Sequence, residues 1–291
     1  MDEPIYGYSK LCKGIIHNAH GLPLTLEVLG SYFCGRSELE WKEALEKMKK
    51  SPPSNILKRL RISYDALSDS EKKIFLDVAC CFKGMIKDQV TQIFEICGDL
   101  YPTLGIRELV EKCLLTEFHS NNGACHLGMH DILQKMGRSI VLEESPNDAG
   151  RRSRLWSLED IDYVLSKTKG TDLVQVIHLQ SPMPYEANWD PEAFFAMCNL
   201  KILIISCDVY LPQGLKFLPS SIKVLDWKAY PLKSLPFGAP LDRLALLRIH
   251  HSKVTQLWGI TQMSRGLKFI DLSYSKDFIR TPDFSSLSNL E

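Results

Sequence analysis

The chain has 291 residues, 45% hydrophobic and 24% charged, an ordinary balance for a globular protein long enough for two or three domains. Its 35 basic and 35 acidic residues cancel to a formal net charge of zero, which argues against a chain built mainly to hold nucleic acid or an acidic membrane. Nine scattered cysteines without a CxxC read as reduced, buried thiols, and neither a leader peptide nor an 18-residue apolar run marks an export signal or a membrane span.

Residues 4–19 read as a weakly amphipathic helix with Leu11, Ile15 and Ile16 on one side, ended by His20-Gly21. Gly21-Leu22-Pro23-Leu24 breaks and restarts a helix, since proline suits a first helical turn. Leu26, Leu29 and Phe33 continue it, and Gly35 closes it. Ser37 and Glu40 form a predicted capping box ahead of a helix with Trp41, Leu45 and Met48 on one stripe.

After the short linker Ser51-Pro52-Pro53-Ser54, the pattern predicts four helices. The first buries Ile56, Leu57, Leu60 and Tyr64. The second, boxed by Ser68 and Glu71, buries Ile74, Phe75, Val78, Ala79 and Phe82 up to Gly84. The third carries Val90, Ile93, Phe94 and Cys97 up to Gly98, and the fourth Leu104, Leu109 and Val110. The period then changes from helical to alternating. Leu114–His119 and Cys125–Met129 read as two strands joined at Asn122-Gly123, both tolerant of positive φ. Helices, a hairpin and a further helix, with Leu133, Met136, Gly137 and Ile140 on one face, read as a winged-helix domain.

The hairpin runs into Met129-His130-Asp131. Asp131 is the expected N-cap of the next helix, with Gln134 completing a capping box. His130 stands one residue before the free backbone amides, where a helix favours an anion and a histidine can add a hydrogen bond or a charge. The plain alternative is a satisfied capping histidine. Two lookalikes lead elsewhere. Ile74-Phe75-Leu76-Asp77 has the shape of a strand ending in a metal-binding aspartate, but no GxxxxGK[ST] precedes it, so Asp77 reads as a polar helix residue. Cys125, His126 and His130 lack a fourth ligand at zinc spacing, so no metal site is expected. Lys87 is offset by Asp88 and Glu95 in the third helix, which makes poor DNA-binding material.

Residues 148–172 read as a linker with the basic run Arg151-Arg152-Ser153-Arg154 before Leu155-Trp156, then a short helix holding Ile161 and Leu165. A basic run is usually a solvated face, and arginine beside tryptophan also suits an interdomain contact. From there the chain repeats. Leu200-x-x-Leu203-x-Ile205, Ile222-x-x-Leu225-x-Trp227, Leu244-x-x-Leu247-x-Ile249 and Leu267-x-x-Ile270-x-Leu272 share one pattern, with starts 22, 22 and 23 residues apart. That period belongs to leucine-rich repeats. The residues between the leucines, including Lys223, Asp226, Arg248 and Asp271, are expected on the solvent side of a concave sheet.

Taken in order, GLPLTLEVLGSYF, KKIFLDVACCFKG, LGMHDILQKMGRSIV, RSRLW and the repeats resemble the plant intracellular immune receptors of the nucleotide-binding, leucine-rich-repeat family, in the subclass with an N-terminal Toll/interleukin-1-receptor domain. The resemblance covers essentially the whole chain. It implies that Pro23 packs near the adenine of ADP, that His130 contacts the β-phosphate, and that Asp131, with Met129 in the same motif, holds the closed resting state. It also implies a switch in which ADP keeps the receptor closed, exchange for ATP opens it, and oligomerisation signals defence, a population shift set by differential nucleotide affinity. The Toll-type domain, the phosphate loop and the core nucleotide-binding sheet are not among these residues, so most contacts to the phosphates and magnesium are missing. Thr25 stands where the family usually has alanine.

The expected fold is therefore multidomain, α plus α/β. Residues 1–50 form a helical remnant of the nucleotide-binding domain, 51–147 the winged helix, 148–172 a linker and 173–291 an incomplete leucine-rich-repeat solenoid. The expected role is that of a partial immune receptor in the cytoplasm or nucleus, without catalysis. Protein partners are expected on the repeats: a pathogen effector, a guarded host protein or other receptor subunits. A nucleotide-independent adaptor or decoy is the runner-up, and a winged-helix DNA-binding protein comes third.

Overall fold

The computed structural model describes residues 8, 12, 23–50, 54–98, 101–236, 242–257, 266–279 and 290. The helix expected over 4–19, Gly21-Leu22 and the 51–53 linker lie outside the described residues, apart from Tyr8 and Cys12. The chain divides into two compact units, residues 1–89 with 101–140, and residues 90–100 with 141–291.

In the first unit, helix α1 (Pro23–Phe33) starts at the expected proline, and Gly35 ends the turn behind it at φ +76°. Helix α2 (Glu38–Lys50) follows. Its box forms as expected: the Ser37 amide donates to Glu40 and the Glu40 amide to Ser37 Oγ. Trp41 joins the two helices, donating from Nε1 to the Phe33 carbonyl at 2.9 Å. Helices α3 (Ser54–Asp65) and α4 (Asp69–Asp77) come next, α4 with the complete Ser68–Glu71 box. The helix expected to run on to Phe82 instead widens into a π turn, Val78–Phe82.

Helix α5 (Lys87–Cys97) leads on to α6 (Pro102–Glu111), where Leu104, expected inside, is 52% exposed. Pro102, Gly105, Ile106 and Leu109 face inward there. Strands β1 (Thr116–His119) and β2 (Cys125–Gly128) pair antiparallel, His119 opposite Cys125. Only Gly123 takes positive φ in their turn; Asn122 contributes through its side chain, which accepts from the Ala124 amide. Helix α7 (Asp131–Glu144) closes the winged-helix order.

The second unit holds a six-stranded parallel sheet in the order β10-β9-β8-β6-β4-β3: β3 (Arg154–Leu155), β4 (Val176–Leu179), β6 (Ile202–Ile205), β8 (Val224–Trp227), β9 (Leu246–Arg248) and β10 (Phe269–Asp271). Short strands β5 (Tyr185–Glu186) and β7 (Val209–Tyr210) pair beside it, and helix α8 (Leu158–Ser166) lies between β3 and β4 in sequence. The repeat pattern fixes the register: Leu203 stacks on Leu225 and Leu225 on Leu247. A further turn precedes the four seen in sequence, Val174-x-x-Ile177-x-Leu179, with Ile177 opposite Leu203. Its start falls 26 residues before Leu200, a longer period that hides it.

Two expectations change here. Residues 148–172 are not a free linker: Ala149, Leu155, Ile161, Val164 and Leu165 belong to the solenoid's hydrophobic cluster, and β3 is the sheet's first strand. Nor is the basic run wholly solvated, since Arg152 and Arg154 are buried. Arg152 donates to the carbonyls of Ser145 and Pro146 and to Asp160 of α8, so its planar fork satisfies the chain beyond α7 and fixes α8 to it.

The tightest backbone approach in this unit is at Gly150, where an added Cβ would lie 1.8 Å from the Lys169 carbonyl oxygen. Backbone cannot swing aside as a side chain can. Gly150→Ala is expected to lower the unfolding free energy by about 1–3 kcal/mol. Gly30→Ala in α1, with nothing within 4 Å of the new Cβ, is expected to raise it by up to about 1 kcal/mol. Urea unfolding of both variants checks the contrast.

Candidate functional site

Strand β2 ends at Gly128 and α7 begins at Asp131, so Met129 and His130 make the whole corner. Gly128 lets β1 approach closely, because a Cβ there would meet Thr116 Oγ1 at 2.4 Å. Asp131 is the first helical residue and not the expected N-cap. The cap is His130: its Nδ1 accepts from the Ile132 amide at 3.0 Å, and its carbonyl accepts from the Gln134 amide at 2.9 Å. The imidazole reaches the amide two residues ahead, so it takes the acceptor role that a carboxylate was expected to fill. An accepting Nδ1 carries no proton, so the neutral ring holds its proton on Nε2. His130 and Met129 are 8% and 4% exposed.

Asp131 turns outward, its side chain 80% exposed, and pairs with Lys83 Nζ at 2.5 Å. Lys83 also donates to Gln134 Oε1 at 3.0 Å. Gln134, expected in a capping box, instead donates from Nε2 to the Ala79 carbonyl at 3.1 Å, and Arg138 Nε reaches the same oxygen at 3.2 Å. The Lys83 ammonium, through its hydrogen bond and charge, holds the Asp131 carboxyl below the usual carboxylate range against the effect of burial. Sequence reading missed Lys83 and Arg138 and gave Gln134 a capping role in place of the one it has. The available signal was the spacing of Asp131, Gln134 and Arg138 at i, i+3 and i+7, which puts them on one side of the helix. Pro23 opens α1; the surroundings of its side chain lie outside the described residues.

No group of three or more histidines, cysteines and carboxylates among the described residues could hold a metal. The His126 ring is taken up by the Gly84 carbonyl at 2.9 Å and Ser120 Oγ at 3.1 Å, and it stacks on Phe118. Burial and the Glu117 carboxylate push the Cys125 thiol up, away from the thiolate a metal requires. Asp77 is wholly buried at the end of α4. Of the basic residues in this unit, Lys87 pairs with Glu117 and Lys112 with Glu71.

On the sheet, the expectation of a solvent-facing concave side fails for the early repeats. Val176, Ile202, Ile204, Val224 and Leu246 are all buried, at most 4% exposed. They are apolar where a wet concave face carries polar residues, and that composition was readable. Lys223 donates to the Cys97 carbonyl at 3.1 Å, a lysine on a helix C-terminus as the helix dipole favours. Further along, Asp226, Arg248 and Asp271 stand in register on adjacent strands, Arg248 donating to Asp226 at 2.8 Å.

Comparison with known proteins agrees with this arrangement. Residues 68–145 match the family described as the winged-helix domain of Roq1-like disease resistance proteins. TMV resistance protein N of Nicotiana glutinosa is 34% identical over 290 residues, 100% of this chain and 25% of that protein. Disease resistance protein RUN1 of Vitis rotundifolia is 33% identical over 316 residues, 99% of this chain and 23% of that protein. Disease resistance protein RPP5 of Arabidopsis thaliana is 33% identical over 299 residues, 100% and 20% respectively. The chain spans a quarter or less of the length of these relatives.

The Lys83–Asp131 pair predicts a pH signature. A carboxyl depressed by folding stabilises the fold above its unfolded pKa, about 3.9, and loses that contribution as pH falls through the lower folded value. The difference in unfolding free energy between the native chain and Asp131→Asn is therefore expected to be flat above about pH 5 and to shrink below about pH 4. Urea titrations at stepped pH measure it.

Proposed function

This chain belongs to the plant disease resistance proteins of the nucleotide-binding, leucine-rich-repeat kind, and we propose that it forms the regulatory corner and early recognition repeats of an intracellular immune receptor. His130 donates from Nε2 to the terminal phosphate of ADP, Pro23 packs against the adenine, and Asp131 with Met129 holds the resting arrangement. The observation that carries the reading is the His130 Nδ1 cap on the Ile132 amide. It fixes the imidazole proton on the nitrogen that can donate to an anion, at the positive end of a 14-residue helix.

No GxxxxGK[ST] motif occurs in these 291 residues, so they supply two walls of the pocket and not the phosphate cradle. ADP keeps the receptor closed and ATP opens it, and the chain performs no chemistry of its own. Its partners are proteins met through the repeats: a pathogen effector, a guarded host protein or other receptor subunits. The formal charge of zero argues against nucleic acid as a main partner. No helix among the described residues is long and apolar enough to cross a membrane, and the proposed site of action is the cytoplasm or nucleus.

The test is a graft of this chain in place of the matching segment of one of the longer relatives. The grafted receptor is expected to retain ADP through purification. His130→Ala is expected to weaken retention about tenfold, the cost of one lost hydrogen bond to a charged group. Asp131→Val is expected to signal in leaf tissue without an elicitor. A folded graft that holds ADP equally well with and without His130 would remove nucleotide from this corner and favour the adaptor reading.

A further inference from the structure

The π turn Val78–Phe82 plays no part in that reading, yet it holds Gln134 and Arg138 and leads directly into Lys83. It continues α4 without a break: Asp77 has helical φ and ψ, and the Lys83 amide donates to the Val78 carbonyl five residues back, at 2.9 Å. Every residue in it is at most 5% exposed. Such turns carry one residue too many for an α-helix and are rare, often marking functional sites. This one is held from outside. Gln134 Nε2 and Arg138 Nε, from successive turns of α7, converge on the Ala79 carbonyl. Gly137 lies between them in sequence and permits the approach, because a Cβ there would stand 2.6 Å from Ala79 Cβ. A glycine inside a helix costs roughly 0.5–1 kcal/mol relative to alanine, and this contact explains its presence.

Two routes from the end of the turn lead to the corner. Lys83 reaches Asp131 and Gln134. Beyond it, the Gly84 amide donates to the Leu127 carbonyl at 2.7 Å and the Leu127 amide to the Met85 carbonyl at 2.9 Å. The chain after the turn thus lies along β2, the strand that delivers Met129 and His130.

We propose that Val78–Phe82 is a register switch, held in its π form by α7 and relaxing to an α-helix when α7 withdraws. Relaxation turns the following residues by about 100° and moves them about 1.5 Å along the axis. Lys83 leaves Asp131 and Gln134, and Gly84–Ile86 slips one residue along β2, which exchanges its side-chain faces. The change is discrete, as a switching element requires. The proposal rests on the switch reading of the corner only for its trigger; the coupling of α7 to the turn acts with or without nucleotide.

Hydrogen exchange on the full 291-residue chain, read at the Leu127 amide that now donates to the Met85 carbonyl, tests it, because the slip of Gly84–Ile86 takes that acceptor away. Gln134→Glu keeps an acceptor for Lys83 but loses the donor to the Ala79 carbonyl. It is expected to speed Leu127 exchange about tenfold, with the amides of α6 unchanged. Gly137→Ala, which pushes α7 off the turn, is expected to do the same. Deleting Cys80 in the Gln134→Glu background removes the extra residue and is expected to restore slow exchange, because the shortened α-helix then delivers Met85 to Leu127 in its present register. Unchanged Leu127 exchange in both point variants would overturn the proposal, and so would a uniform rise across the unit, which reports plain destabilisation. Local acceleration in a chain whose graft keeps ADP without His130 would support the register switch while the nucleotide reading alone falls.

Discussion

A single hydrogen bond, from the Ile132 amide to His130 Nδ1, organises the corner between the wing and α7. It makes the histidine the helix cap, so the aspartate beside it is left for another partner. Asp131 takes Lys83, and Gln134, relieved of capping, turns to Lys83 and Ala79. The placing of one acceptor thus decides where two polar side chains of α7 point. It also decides the tautomer, and with it which nitrogen can donate to an anion. The plain reading of His130 as a capping histidine and the functional reading of it as an anion contact are then not rivals. Capping through Nδ1 is what prepares Nε2.

The solenoid works under a different constraint. The strands of the sheet have two to four residues each and cannot bury their leucines alone, so their stability comes from neighbours in register. Leu203, Leu225, Leu247 and Ile270 form one column across four strands, and Trp227 enters the same core beside Trp189 and Tyr230. On the other side of the sheet, apolar residues in the early repeats give way to Asp226, Arg248 and Asp271. Among the described residues, charge on that side of the sheet gathers on those later strands.

Much of this was legible in the sequence. Capping boxes at Ser37 and Ser68, the hairpin at Gly123 and the repeat period all rest on local rules, and the structure keeps them. What escaped was set by tertiary contact. The π turn is invisible in VACCF, because its widened register depends on Gln134 and Arg138, some 55 and 59 residues away from Ala79. Asp131 looked like a cap because aspartate usually is one; a histidine one place earlier outcompeted it. Arg152 looked solvated because charge runs usually are, yet three acceptors gathered around it at 2.8–3.0 Å. The buried concave residues were misplaced for another reason: the repeat pattern was followed for its leucines, and the apolar letters between them were passed over.

The strength of the corner decides what it can do. An exposed ion pair such as Lys83–Asp131 contributes about 0.2–1 kcal/mol. A helix cap contributes about 1 kcal/mol, the Gln134 hydrogen bond to the Ala79 carbonyl about the same, and the bond from the charged Arg138 guanidinium about 1.5–3 kcal/mol. Each alone stays below the roughly 5.5 kcal/mol needed to carry a two-state equilibrium from one extreme to the other. A single brace can therefore bias the arrangement of α7 and the π turn, but it cannot lock it. A ligand bound there would act through its own preference for one state. Removal of a single brace, by the same arithmetic, would shift the balance without unfolding the domain, whose core of Ile74, Phe75, Ile106 and Leu109 is wholly buried.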